Sequence, residues 1–452
     1  MAGSIPSFAQ PANDNCANAI EIFQQEYNNS CVTKIFADTR NATKSPITPD
    51  CAFSSGNSFS NDDDIWYKFT ATTPNALIKF SDARDPTSIY DLAEIGMAMY
   101  NIPCPENNED EMVCITSVAS GSGNYIMNNL EVGRQYLIQL WSRRIGISIS
   151  FSFCLQSLTP VPANDDCNGA LPLIESPFAT SFQQTTLVNT FAATPSLVPA
   201  TNCGGAEAND DVWYKFVATS KQYIFLVSDI TATIGIVGNI VIDIYNGGVS
   251  GAPNCNIVNG QSQKCYTILT GTPKQFIDSN FIPGNTYYVR AWTWGNGNFG
   301  TFKLGLMAVP PPPSNDDCSG AINLIPQPYS NACSSPFKAN TSGATYSKPQ
   351  SQCGYSEIND DIWFKFTATS SQHFISLANL ETTFGYVSHL RFILIDAGPS
   401  ANATCTSVIG ATDCHKYIAG ELIYNLTVGN TYYLRIWSWE KLSFCRFDIC
   451  IH

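Results

Sequence analysis

Apolar residues in this chain come in short alternating runs. Residues 239–245 (Asn239, Ile240, Val241, Ile242, Asp243, Ile244, Tyr245) are rich in β-branched and aromatic side chains, as are residues 286–292, and Gly, Asn and Pro bound both. The two-residue period of a strand splits the second run and its extension into two faces. Tyr287, Val289 and Ala291 are expected to face a core, and Tyr288, Arg290, Trp292 and Trp294 share the opposite side. No segment sustains an apolar stripe of helical period. Only segments such as Cys16-Ala17-Asn18-Ala19-Ile20 suit a single helical turn. The pattern predicts an all-β chain.

The pattern also repeats. Asp62-Asp63-Asp64-Ile65-Trp66-Tyr67-Lys68-Phe69 returns as Asp210-Asp211-Val212-Trp213-Tyr214-Lys215-Phe216 and as Asp360-Asp361-Ile362-Trp363-Phe364-Lys365-Phe366. A second signature travels with it, in Asn13-Asp14-Asn15-Cys16, Asn164-Asp165-Asp166-Cys167 and Asn315-Asp316-Asp317-Cys318. Cys16, Cys167 and Cys318 are spaced by 151 residues (167 − 16 and 318 − 167). A period of that length is a whole domain. The expected organisation is three tandem β-sandwich, jelly-roll-like domains over residues 11–158, 163–308 and 314–452, each of about eight strands. Thr159-Pro160-Val161-Pro162 and Pro310-Pro311-Pro312-Pro313 separate them and are expected to act as semi-rigid polyproline spacers that string the domains in a line.

Composition narrows the function classes. The net charge of −14 argues against nucleic acid and anionic lipid, both of which need clustered cations, and it fits a protein that binds divalent cations. No run of 18 apolar residues exists to span a membrane. Ser7-Phe8-Ala9 resembles the small-x-small end of a signal peptide, so the expected start is a mature or engineered one whose targeting segment has been removed. The last residues, Asp448 to His452, form a strand-like segment with no sorting domain after it, which leaves open a gene that continues.

The 17 cysteines point to an oxidising compartment. Each repeat holds two spaced couples, Cys16/Cys51 with Cys104/Cys114, Cys167/Cys203 with Cys255/Cys265, and Cys318/Cys353 with Cys405/Cys414. The simplest connectivity pairs each couple internally. Cys31 with Cys154 and Cys333 with Cys450 are present together in the outer repeats and absent together from the middle one, where Met307 replaces Cys154; this predicts two further bridges and leaves Cys445 as a free thiol. There is no CxxC pair, and all four histidines (His373, His389, His415, His452) fall in the third repeat, so thiolate metal sites are disfavoured.

Two groups of residues carry candidate chemistry. The acidic signatures supply a possible calcium shell of oxygens in each repeat: Asn13, Asp14, Asp62, Asp63 and Asp64; Asn164, Asp165, Asp210 and Asp211; Asn315, Asp316, Asp360 and Asp361. Caps and Asx-turns are the competing reading of the same residues. The second group is the row Tyr288, Arg290, Trp292 and Trp294, with Tyr433, Arg435, Trp437 and Trp439 in the third repeat, as a stacking surface for sugar rings or protein side chains. Its plainer alternative is a tryptophan packed under a loop with the arginine stacked on it. The first repeat has Leu137, Gln139, Trp141 and Arg143 there. Trp66, Trp213 and Trp363 are expected in the core. Catalytic residues are expected to be absent: repeats one and two hold no histidine for a nucleophile–base arrangement, and the acidic pairs recur at fixed structural places.

With Gly133-Arg134-Gln135-Tyr136, Gly284-Asn285-Thr286-Tyr287-Tyr288 and Gly429-Asn430-Thr431-Tyr432-Tyr433 added, these motifs resemble the bacterial pre-peptidase C-terminal domain family, in the variant found in secreted surface proteins of Bacteroidetes. The resemblance covers nearly the whole chain. The chain departs from it in having roughly 45 residues between the Asn-Asp and Asp-rich motifs and in its extra cysteines. The resemblance implies a non-catalytic module similar to collagen- and carbohydrate-binding appendages, with calcium as a structural ion held by the acidic residues above. The expected function is an adhesin-like, secreted cell-surface protein that binds an extracellular glycan or protein. The alternatives are a structural or assembly subunit of an extracellular fibre or surface complex, partnered by copies of itself or other surface proteins, and an accessory binding region of a larger secreted hydrolase.

Overall fold

The computed structural model describes residues 9–452 except 29, 53–60, 86–92, 108–109, 119–121, 197–207, 252–254, 256–261, 272, 296–297, 330–332, 348–359, 406–413, 417–420, 424 and 441. Residues 1–8, with most of the signal-peptide-like stretch, therefore lie outside the description. Among the described residues every element is a strand or a short 3-10 turn, and no helix is long and apolar enough to cross a membrane.

Domain 1 sets the plan. Its strands are β1 (Ile20–Glu21), β2 (Gln25–Glu26), β3 (Ile35–Asp38), β4 (Ile65–Thr70), β5 (Ala76–Arg84), β6 (Ile95–Asn101), β7 (Glu111–Val118), β8 (Ser122–Met127), β9 (Gln135–Ser142) and β10 (Ser150–Ser157). One sheet runs β1-β4-β9-β6-β7, and the other runs β2-β10-β5-β8 with β3 also on β10. Domain 2 repeats both sheets, domain 3 repeats the first and has a four-stranded form of the second, and among the described residues no sheet takes strands from two domains. The predicted helical turn is the 3-10 turn Cys16–Asn18, with counterparts Cys167–Gly169 and Cys318–Gly320.

Between the two sheets of each domain lies a core built by strand alternation. Ile65, Tyr67 and Phe69 of β4 face it, with Tyr136, Ile138 and Leu140 of β9 and Phe151, Phe153 and Leu155 of β10. In domain 2 the same positions include Tyr287, Val289 and Ala291, as the two-residue period predicts. Each such ring or branched chain taken fully from water is worth roughly 1.5–3 kcal/mol.

The domains are not held apart by their proline segments. Leu77, Ile126, Leu158 and Tyr27 of domain 1 pack with Ala192, Ile234, Phe299 and Phe191 of domain 2. Asn75 Nδ2 also donates to the carbonyls of Ala192 and Ala193 at 3.3 and 3.2 Å. Ile224, Ile277, Met307, Val309, Phe178 and Phe182 of domain 2 pack with Phe384 and Phe444 of domain 3. The expected spacers are thus short straps across apolar joints, because the strand ends on both sides expose residues that bury one another. At the second joint Gly343 (φ +81°) lies so close to the Pro310 carbonyl that a Cβ would stand 2.2 Å from it, so only glycine fits the turn.

Candidate functional site

The repeated signature builds a second, smaller core on the outer face of the β4–β9 sheet. Trp66 points away from the main core because its neighbours Ile65 and Tyr67 point into it. It lies directly across from Gln139 of β9, as Trp213 lies across from Arg290 and Trp363 from Arg435. Trp66 packs with Tyr100, Leu137 and Trp141 under the leading segment of the domain. These tryptophans are core residues, but of the outer cluster and not of the sandwich.

The acidic residues fasten that cluster. Asp64, Asp211 and Asp361 accept from the backbone N–H of Ser45, Ser196 and Ser347 at 2.8, 3.0 and 3.0 Å, and from the hydroxyls of the same serines. The indole Nε1 of Trp66, Trp213 and Trp363 donates to them at 2.9, 3.0 and 3.1 Å. The fourth donor is Gln139 Nε2 in domain 1 (3.0 Å), Arg290 Nε in domain 2 (2.9 Å) and Arg435 Nε in domain 3 (2.9 Å). Where the arginine is absent, burial pushes the Asp64 carboxyl above its ordinary range.

The preceding aspartates clamp the far end of β9 and its counterparts. Asp63 accepts from Ser142 N at 2.9 Å, Asp210 from Thr293 N at 3.1 Å and Asp360 from Ser438 N at 3.1 Å. Complete burial pushes Asp210 and Asp360 up to about 8, and Asp63 moves well upward for the same reason. Asp210 and Asp360 therefore keep their protons at neutral pH. Asp62, the extra acid of repeat one, accepts from Gly146 N at 2.9 Å. Asp14, Asp165 and Asp316 accept from Thr43, Thr194 and Thr345 through both backbone and hydroxyl. Asn13, Asn164 and Asn315 donate to the carbonyls of Trp66, Trp213 and Trp363 at 2.9, 3.0 and 3.0 Å.

The donor set does not fit the expected calcium shell. A hard cation needs six to eight free oxygens. Here most of the carboxylate oxygens are engaged by N–H and O–H donors, Asp62 Oδ1 being the exception, and Asp210 and Asp360 hold a proton. Among the described residues no three His, Cys, Asp or Glu side chains converge as metal ligands do. The capping reading describes the geometry.

The expected stacking row is likewise internal. Tyr288, Arg290 and Trp292 are buried, as are Tyr433, Arg435 and Trp437. The Arg290 guanidinium lies 5.4 Å from the Trp213 ring centre and 5.3 Å from that of Trp292, and Arg435 lies 5.4 Å from Trp363. This corrects the exposed reading: the row packs beneath the segment that the disulfides hold down. Those disulfides also correct the predicted pairing. Cys16 joins Cys104, Cys51 joins Cys114, Cys167 joins Cys255 and Cys318 joins Cys405. The sequence couples are crossed because Cys104 lies past the end of β6 while Cys114 sits within β7 opposite Ala98, several strand steps away. Cys31–Cys154 and Cys333–Cys450 form as expected, although strand register puts Gly305 and not Met307 at the place of Cys154, and Cys445 is a buried free thiol whose pKa burial raises. Cys265 is disulfide-bonded; Cys203 and Cys353 lie outside the described residues, as does the side chain of Cys414.

Only the last member of each row, Trp294 and Trp439, reaches partial exposure. Trp439 carries the richer surroundings. The Arg391 guanidinium sits 4.3 Å from its ring centre, and the His389 ring stacks on it at 5.6 Å and 27°. Ser388 N donates to Glu440 Oε2 at 3.1 Å, and the Ser388 hydroxyl lies 2.7 Å from His389 Nδ1. Exposed Tyr386 stands beside them. Strand register places Val241 of domain 2 where domain 3 has Arg391, so this patch belongs to domain 3 alone. Arg391, Ser388 and Glu440 escaped the sequence reading. Comparing the copies position by position would have found them, since they differ where the scaffold does not.

A family model described as galactose-binding-domain-like and T9SS-associated matches residues 12–153 and 314–449, more than half of the chain. Among curated proteins, none matches. Solved structures similar to parts of the chain include the CBM36-1 domain of a multidomain xylanase from the hindgut metagenome of Trinervitermes trinervoides (17% identity, 27% of this chain and 97% of that one, TM-score 0.17). Tandem CBM51 modules of a family 98 glycoside hydrolase from Streptococcus pneumoniae give 7% identity over 55% of this chain and 82% of theirs, TM-score 0.14. A CBM22 tandem domain from Paenibacillus barcinonensis gives 10% identity over 56% and 85%, TM-score 0.17. Scores this low have no bearing on ligand choice.

Proposed function

The chain belongs to the galactose-binding-domain-like, T9SS-associated family, and from that premise we propose that it is a secreted, non-catalytic protein that holds an extracellular glycan at the Trp439 patch of domain 3. The family membership supports a glycan as the ligand class. The observation that carries the site is the half-buried Trp439 ring held by contacts with Arg391 and His389, with Ser388 and Glu440 nearby. A rigid aromatic platform offers its face to the C–H side of a sugar ring, and the charged and hydroxyl groups around it direct the sugar hydroxyls. The Bacteroidetes setting that the sequence resemblance suggested agrees with T9SS association, while the family matched is the galactose-binding-like one and not the pre-peptidase C-terminal domain. Disulfides in all three domains support an extracellular location.

The test is a glycan array probed with the whole protein, followed by titration of the best ligand. Trp439→Ala is expected to weaken binding at least tenfold, about 1.4 kcal/mol, whereas Trp294→Ala leaves it unchanged. An array with no glycan bound, or equal affinity in Trp439→Ala, contradicts the proposal. A second reading, a rigid subunit of a surface assembly, is favoured by the apolar joints that dock each domain on the next. Adhesion would follow from either reading, with the domains acting as a stiff arm.

A further inference from the structure

Each domain carries the same downstream face, and among the described residues no other domain covers that face in domain 3. Tyr27, Phe178 and Tyr329 are spaced by 151 residues (178 − 27 and 329 − 178) and occupy one place in the repeat. Tyr27 packs on Phe191 of the next domain at 4.8 Å between ring centres. Phe178 packs on Phe384 and Phe444 of the next domain at 6.2 and 6.1 Å. Tyr329 instead stacks within its own domain, on His452 at 5.7 Å and Phe374 at 5.4 Å, and is 68% exposed. The strand positions agree. Leu77 pairs with Gln156, Ile224 with Met307, and Phe374 exchanges backbone hydrogen bonds with His452. Leu77 and Ile224, each covered by a following domain, are 0% and 1% exposed, while Phe374 is only half-buried.

We infer that this face, formed by Tyr329, Phe374 and His452, is a docking surface for one further β-sandwich of the same kind, one whose upstream end presents apolar residues. The occupant's chemistry follows from the two joints already formed. Both use an apolar pair from adjoining strands, Ile234 with Phe299 and Phe384 with Phe444. Domain 1 does not suit the face. Register places Arg40, Asn41 and Ser148 where domain 2 has Phe191, Ala192 and Phe299, and Arg40 is ion-paired with Asp38. A second copy presenting its domain 1 would set a charged, hydrogen-bonded surface against Tyr329, at a desolvation cost. The inference is independent of the glycan reading, since the Trp439 patch contributes none of these residues.

The test extends the full chain. One fusion appends residues 308–452 after His452, with Tyr329→Phe in the appended copy so that its peptide differs in mass, and supplies the Pro310–Pro313 strap and the apolar pair Phe384 and Phe444. A second appends residues 308–313 followed by residues 12–158. Hydroxyl-radical labelling then reports on Tyr329 of the original domain 3. Labelling is expected to fall at least fivefold in the first fusion relative to the unextended chain and to stay at the unextended level in the second. Low labelling of Phe178 in all three proteins verifies that the established joint is intact. Tyr329→Ser with Phe374→Ser in the first fusion should release the added domain, seen as increased flexibility in small-angle scattering. Equal Tyr329 labelling in the unextended chain and the first fusion overturns the inference, as does equal protection in both fusions or an added domain that stays docked in the double variant.

Discussion

Asp361→Ala is expected to destabilise domain 3 by about 3–5 kcal/mol, the usual cost of leaving a buried charge without its partner. Arg435 is 1% exposed, and its Nε donates to Asp361 at 2.9 Å. The same carboxylate also holds the amide and hydroxyl of Ser347 and the Trp363 indole, so its loss strands four donors at once. Two further variants separate charge from hydrogen bonding. Arg435→Gln reproduces the arrangement of domain 1, where Gln139 faces Asp64, and should cost less, about 1–2 kcal/mol. Asp361→Ala with Arg435→Leu removes both charges and should recover part of the loss. Urea unfolding followed by tryptophan fluorescence measures all three. A loss under 1 kcal/mol in Asp361→Ala would show that the pair does not lock the outer cluster.

Stability of domains 2 and 3 is expected to fall as pH rises from about 4 to about 8. Asp210 and Asp360 titrate near 8 when folded, against an ordinary carboxyl range near 4 when unfolded. In that window the folded state keeps a proton that the unfolded state releases, so stability is full below the window and declines through it. Each group contributes on the order of 5 kcal/mol across the window, diminished by any opening that lets water reach the acid. Asp38 and Glu94 of domain 1, held low by Arg40 and by Arg143 and Arg144 against the burial that raises them, act in the opposite sense in acid. Asp210→Asn with Asp360→Asn should flatten the decline seen by calorimetry between pH 5 and pH 8. An unchanged slope in that variant would mean that these acids ionise in the folded state.

Much of the fold was legible because it rests on alternation and repetition. The faces of residues 287–292, the three copies and the extra bridges of the outer domains follow from local pattern and from what the copies share. What the linear pattern could not supply was distance between segments far apart in sequence. Cys104 and Cys114 are near neighbours in the chain, but only the β6–β7 register shows that they face different partners. The Trp–Arg row was correctly placed on the outer face, and its burial depends on a covering segment whose path no periodicity reveals. The acidic pairs were legible, but their partners are backbone amides, serines and threonines some 14–83 residues away. The docked joints were missed because an apolar residue at a strand end looks the same whether it meets water or a neighbouring domain.

The thrice-repeated acidic signature is an internal lock in which both acids of each pair are held by hydrogen bonds, one of them neutral in domains 2 and 3, with function placed outside it. Differential scanning calorimetry of the whole protein at pH 7, in excess EDTA and in millimolar calcium, tests it most directly. Melting temperatures are expected to agree within about 1 °C, since among the described residues no three acidic, His or Cys side chains converge to gain from the ion. A rise of several degrees in calcium, abolished by Asp210→Asn with Asp360→Asn, would contradict it.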